Sequence, residues 1–267
     1  MNVHQKISNS VAFEKQGNLV AAVMELESIP PLQRSPDIKL RLAILKYRQG
    51  SFNQSGELLR EMTMLKMDVP TSLAALDLLR SLSMHEEMLG VLERLPDPAG
   101  IQDGKLLQRT ASHFAAIGYS SRALEYIDRA VELAPGVIAP QMSRSQIRMF
   151  NGDFDGAVED LREFTRLAPD LGVGWWALAR MRHGGDSASV TDFLRKKVAA
   201  LKRKPPSDDL VYFASALHME LDVQQAHSEA FDALEISNQA KRRMINYDSR
   251  HITESMSRLA APTHSPE

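Results

Sequence analysis

One spacing constrains this chain of 267 residues more than anything else in it: two stretches superimpose with a period of 34. Gly118 and Gly152, Ala123 and Ala157, and Pro135 and Pro169 each stand one period apart. The text between them matches as well. Gly118-Tyr-Ser-Ser-Arg-Ala123-Leu124 answers Gly152-Asp-Phe-Asp-Gly-Ala157-Val158, and both stretches close alike, as Glu132-Leu-Ala-Pro135 and Arg166-Leu-Ala-Pro169. Gly50 lies two periods before Gly118, and Gly17 lies 33 residues before Gly50. Between them, Met84 stands where the spacing expects a glycine. A unit of this length cannot bury its apolar face alone, so the units must stack into an array.

Each unit reads as two amphipathic helices around a glycine turn. Leu107, Ala111, Phe114 and Ala115 follow helical spacing, and Leu124, Ile127, Val131 and Leu133 do so on the next segment. Gly118 falls where a helix must end and reverse, a left-handed position that glycine takes cheaply. Ala111, Ala123 and Ala130 allow close helix approach, while Pro135 and Pro169 stop the second helix. Strand patterning is absent, so the fold class is all-α. These are the positions and spacings in which the chain resembles the tetratricopeptide repeat. The resemblance is strongest over 104–171 and weaker over 3–34 and 36–69, where Ile29 and Met62 replace the second alanine; Phe164 replaces it in the unit at 138–171. It implies a right-handed superhelical solenoid of helix pairs: about five pairs over 1–171, continuing helices over 172–259, and a disordered tail at 260–267.

After Pro169 the sequence stays helical but changes character. Helices are expected to start at Gly174-Trp175-Trp176 and stop at Gly184-Gly185, then to run over about 187–204, 208–222, 226–242 and 248–259. The strings Gly174-Trp-Trp-Ala-Leu-Ala, Tyr212-Phe-Ala-Ser-Ala-Leu, Ala230-Phe231, Asn238-Gln-Ala-Lys-Arg242 and Tyr247-Asp248 resemble the helical half of bacterial tetratricopeptide–sulfotransferase proteins. Ser237 departs from that family's glycine, and the loop from Val223 to His227 lacks its Gly-Asp turn. In the family, a Pro-Arg-Ser-Gly-Thr-Thr loop downstream holds the phosphates of the sulfate donor at a helix N-terminus. This chain has no such loop. The resemblance therefore implies a separate helical relative or a part of a longer protein, and transfers no catalytic residue.

The residues themselves offer no catalytic set. With no cysteine, a thiolate nucleophile and a Cys-ligated metal are excluded. None of the eight histidines pairs at i, i+4 around a glutamate, and no phosphate-binding or nucleophile-elbow motif occurs. The expectation is a non-enzyme without cofactor or metal. Charged residues throughout the first 30 positions exclude a signal-peptide core, and no apolar run reaches membrane-spanning length, so a soluble, cytoplasmic protein with no membrane partner is expected.

A net charge of −2 disfavours nucleic-acid binding through the overall field. The exception to weigh is a basic helix at 195–204, where Arg195-Lys196-Lys197 and Lys202-Arg203-Lys204 lie seven residues apart and would stack into one stripe. A solvated helix face is the plainer reading, because no aromatics interleave as single-strand binding would need. The surface expected to work is the concave groove formed by the first helix of each pair. Its residues by register are Tyr47, Gln108, Ser112, Met142, Gln146, Met149, Trp176 and Arg180, among which Trp, Tyr, Met and Arg are types enriched at binding interfaces. The function expected is a scaffold that binds a protein or peptide partner there; the alternative is a regulatory or substrate-binding half of a sulfotransferase.

Overall fold

A computed structural model describes residues 2–181 and 188–245, together with Arg250, Thr253 and Met256. The Gly184-Gly185 stop, the Tyr247-Asp248 string and the tail from 260 lie outside the described residues. The described residues form fourteen α-helices and no strand. They fall into two compact units, Met1–Asp153 and Phe154–Glu267.

The first unit holds α1 (Val3–Lys15), α2 (Leu19–Glu27), α3 (Pro36–Arg48), α4 (Phe52–Thr63), α5 (Val69–Ser81), α6 (His85–Leu92), α7 (Gly104–Ala116), α8 (Ser120–Leu133) and α9 (Ile138–Phe150). Each odd-numbered helix from α1 to α7 folds back on the next through the same turn. At Gly17, Gly50 and Gly118 the backbone takes φ near +80°. The residue after each glycine donates its N–H to the carbonyl five positions back: Asn18 to Phe13, Ser51 to Lys46, Tyr119 to Phe114. This closes the orphan carbonyls of the first helix and points the chain back along it.

The third turn corrects the sequence reading. Met84 is not the turn residue; Ser83 is, at φ +56°, and Met84 donates to Leu79 and precedes α6 as its N-cap. A left-handed serine costs roughly 1–2 kcal/mol relative to ordinary backbone, and Met84 and Met88 beside it are buried. Ser83→Gly is therefore expected to raise stability by about 0.5–1 kcal/mol, read as an upward shift in the chemical denaturation midpoint. An unchanged or lower midpoint would contradict the assigned strain.

Cross-repeat bonds recur at about one period. Arg48 reaches Glu14, Thr71 donates to Asp37 at 2.6 Å, and Gln108 donates to Ser143 at 2.9 Å. The core runs through the same stack. Ala22, Ala43, Ala111, Ala123 and Ala130 are fully buried, as are Ile29 and Met62, which fill the second-alanine place with larger side chains. Phe114 and Tyr126 pack with ring centres 5.4 Å apart.

The second unit holds α10 (Phe154–Leu167), α11 (Gly172–Arg180), α12 (Ala188–Leu201), α13 (Asp208–Val223) and α14 (His227–Met244). α13 and α14 are joined by the turn type seen in the first unit, with Gln225 at φ +60° and Ala226 donating to Leu221. The turn forms here without a glycine. Phe164, where an alanine is usual, is buried against Gly174. A Cβ on Gly174 would lie 2.6 Å from Phe164 Cε1, so the large ring fits only because its neighbour has no side chain. The second cluster of the core gathers Leu194, Val198, Phe213, Leu217, Leu221 and Ala230 with their neighbours.

Candidate functional site

The residues expected in the groove of the first unit lie on α3, α7 and α9, and they divide into tethered and open side chains. Gln108 on α7 is tethered, since its amide donates to Ser143 on α9 and ties the two first helices together. Tyr47 is half-buried against the core and meets Phe52 edge-on, ring centres 5.3 Å apart, so it supports the α3–α4 turn. Met142 and Met149 on α9 are half-buried. Ser112 and Gln146 are exposed.

Sequence reasoning missed a polar cluster in this unit. On α5, Asp77 accepts from Arg109 Nη2 at 2.7 Å, lies 3.3 Å from His113 Nε2, and lies 3.9 Å from Arg80. A turn counted from Met84 puts Leu78, not Asp77, at the place that Ser112 holds before Gly118. His113 is almost fully buried, and its Nδ1 has no hydrogen-bond partner. Burial pushes its pKa down to about 4; Asp77 pulls the other way, and Arg80 and Arg109 reinforce the drop. His113 is thus neutral at physiological pH.

The sign of its contribution follows. The unfolded chain protonates this histidine near pH 6.5, and the folded chain only near 4. Its stabilising share is complete above pH 6.5 and is lost as pH falls toward 4, on the order of 3 kcal/mol in all. Denaturation midpoints measured from pH 7 to pH 4 should fall less steeply in His113→Gln than in the parent. Equal slopes would remove His113 as the cause.

In the second unit, the paired tryptophans of α11 split as consecutive helical residues must. Trp175 packs on Phe193 at 4.8 Å between ring centres and donates Nε1–H to the Pro169 carbonyl at 3.0 Å. Trp176 lies on Tyr212 of α13 at 5.4 Å. The Arg180 guanidinium sits 4.7 Å from the Trp176 ring centre. Arg180 is exposed and makes no ion pair with the described residues.

The basic helix expected at 195–204 is corrected. α12 ends at Leu201, so Lys202-Arg203-Lys204 lie beyond it and cannot stack on the first triplet as one helical stripe. The first triplet is largely neutralised. Arg195 is held by both carboxylate oxygens of Glu229 and by Asp192, and Lys197 pairs with Asp170. The Glu229 bond is the largest cause holding the Arg195 pKa above its ordinary value. Among the described residues no three His, Asp or Glu side chains gather as metal ligands, and no helix is long and apolar enough to cross a membrane.

No protein-family model and no curated protein matches the chain. Solved structures do. The C-terminal part of a TPR repeat-containing protein from Cytophaga hutchinsonii is similar with a TM-score of 0.57 at 13% identity, over 85% of this chain and 92% of that one. A structure of MamA, residue 41 to the end, from Desulfovibrio magneticus RS-1 gives a TM-score of 0.49 at 15% identity, over 62% of this chain and 95% of that one. The fold is that of the tetratricopeptide helix-pair solenoids.

Proposed function

We propose that the chain is a non-catalytic scaffold that binds a protein or peptide partner on the exposed faces of its first helices. The observation that carries this reading is Trp176, half-buried on Tyr212 and carrying an exposed arginine that pairs with no carboxylate among the described residues. An aromatic anchor held by its neighbours loses little entropy on binding, and a stacked guanidinium keeps its hydrogen-bonding edge free. Ser112 and Gln146 place open polar groups on the first helices of the other unit.

The sulfotransferase reading draws less support. Its matching strings supply Phe213, Ala214, Ala216, Leu217 and Ala230, which are buried in the helical core. Residues used for packing argue for a shared helical architecture and assign no catalytic role. Nucleic-acid binding through 195–204 is disfavoured by the ion pairs that already occupy Arg195 and Lys197.

Photo-crosslinking side chains at Ser112 and Gln146 should capture a partner, and one at Arg203 should capture none. Capture at Arg203 alone would overturn the groove reading. Sulfate transfer by the purified chain itself would overturn the non-catalytic one.

A further inference from the structure

Charge divides the helices of the first unit into two sets. α1, α3, α5, α7 and α9, which open the pairs, carry eleven Lys and Arg against three Asp and Glu. α2, α4, α6 and α8, which close them, carry three against nine. The near-neutral charge of the whole chain hides this division. Part of it holds the helices together, since Lys39, Lys46 and Arg144 pair with Glu61, Glu27 and Asp128 of second helices. Packing does not demand it, because α13 opens its pair with four acids and no Lys or Arg. Five of the remaining cations gather on one stripe. Residues two, six, nine and thirteen places before a turn residue share a helix face. On α7 these are Ala116, Ser112, Arg109 and Lys105, all exposed. The stripe carries Lys15 on α1, Arg41 and Arg48 on α3, and Lys105 and Arg109 on α7. Arg41 and Arg48 reach Glu14 of α1, and Arg109 reaches Asp77 of α5, so the stripes of neighbouring first helices adjoin. The acids of the stripe are already bound within the fold: Asp37 accepts from Thr71, and Asp77 from Arg109.

We infer that this stripe takes an acidic segment of a polypeptide partner, whose carboxylates meet the cations of α1, α3 and α7. The inference rests on the scaffold reading and adds the chemistry of the partner. Charge of one sign over one face steers an oppositely charged partner to it and fixes its register. The acidic second helices repel the same partner from the other face, so both sets of helices act in the same sense. Cations also attract a nucleic-acid phosphate, but single strands bind by stacking bases on open aromatic rings. The stripe offers one such ring, Phe150, on α9, a helix with no cation on the stripe. A carboxylate-bearing chain needs no stacking platform and fits a surface of cations set among Ser112, Gln146 and other small or polar side chains.

Fluorescence anisotropy on the full chain tests this with three labelled probes of equal length: a peptide alternating Glu with Ser, its Lys counterpart, and single-stranded DNA. The Glu peptide should bind, with affinity falling about tenfold between about 20 mM and about 300 mM salt. The Lys peptide should not bind, and DNA should bind more weakly than the Glu peptide. Lys15→Glu with Lys105→Glu reverses two exposed stripe cations and should weaken the Glu peptide about tenfold at about 100 mM salt. Glu57→Lys with Glu86→Lys reverses two exposed acids of second helices and should change it by less than about twofold. Unchanged circular dichroism confirms that each variant is folded. Loss of affinity by both double variants alike, DNA binding as tight as the Glu peptide, or no binding of the Glu peptide at low salt would each overturn the inference. Capture at Ser112 or Gln146 of a partner segment without an excess of acids would overturn it and keep the scaffold reading. Capture at Arg203 alone, with the Glu peptide bound and sensitive to the stripe variant, would do the reverse.

Discussion

Tyr126→Ala is expected to cost the first unit about 3–5 kcal/mol, the range for emptying a buried aromatic site. Tyr126 is fully buried, stacks on Phe114, and donates its hydroxyl to the Pro96 carbonyl at 2.9 Å. It therefore joins α8 to the segment before α7 as well as filling the core between them. Burial raises its pKa, in keeping with a neutral phenol that acts only as a donor here. Tyr126→Phe keeps the ring and removes the bond, so it should cost only about 1 kcal/mol. Hydrogen exchange across α7 and α8 separates the two variants: protection collapses in the first and is nearly kept in the second. Equal, small losses in both would mean that the ring is not a packing centre.

The second large effect is a coupled one. Gly174→Ala should destabilise the second unit by about 1–3 kcal/mol, because the new methyl collides with the Phe164 ring and lies 3.2 Å from Thr165 Cγ2. Phe164 is itself nearly fully buried, and Phe164→Ala alone should cost about 3–5 kcal/mol. In the Phe164→Ala background the collision is gone. There Gly174→Ala should be neutral or stabilising, since alanine favours a helix interior over glycine by about 1 kcal/mol. Chemical denaturation of the four chains gives the coupling directly. Strict additivity would show that the ring and the glycine do not constrain each other.

What the sequence reveals and conceals follows from which signals are local. Helix pairing was legible because the turn glycines, the small residues and the closing prolines are each set by nearby backbone geometry. The expected helices at 208–222 and 226–242 agree with α13 and α14 to within two residues. Ser83 and Gln225 were not legible, because a non-glycine residue in a left-handed turn leaves no composition signal. Nor was the Phe164–Gly174 exchange, in which a residue larger than usual is matched by the absence of a side chain on the following helix. The Asp77–Arg109–His113 cluster spans about one period and depends on a register that a single misplaced turn destroys. For the candidate site, register alone placed Trp176 and Arg180 on one face of α11, and the structure brings them into contact. The role of Tyr212 beneath Trp176 needed the packing of α11 on α13.

The central claim is that the first-helix faces, and not the cations of α12, engage a partner. Calorimetric titration of the captured partner against folded variants tests it most directly, with thermal denaturation confirming that each variant keeps its fold. Trp176→Ala and Arg180→Ala should each weaken binding by more than about 1 kcal/mol, the mark of an energetically important interface residue. Met142→Ala and Met149→Ala should lose less, since an adaptable side chain leaves a partner room to repack. Lys197→Ala should leave affinity near the parent value, because Lys197 already pairs with Asp170. Binding abolished by Lys197→Ala and untouched by Trp176→Ala would contradict the account and move the partner to the face of α12.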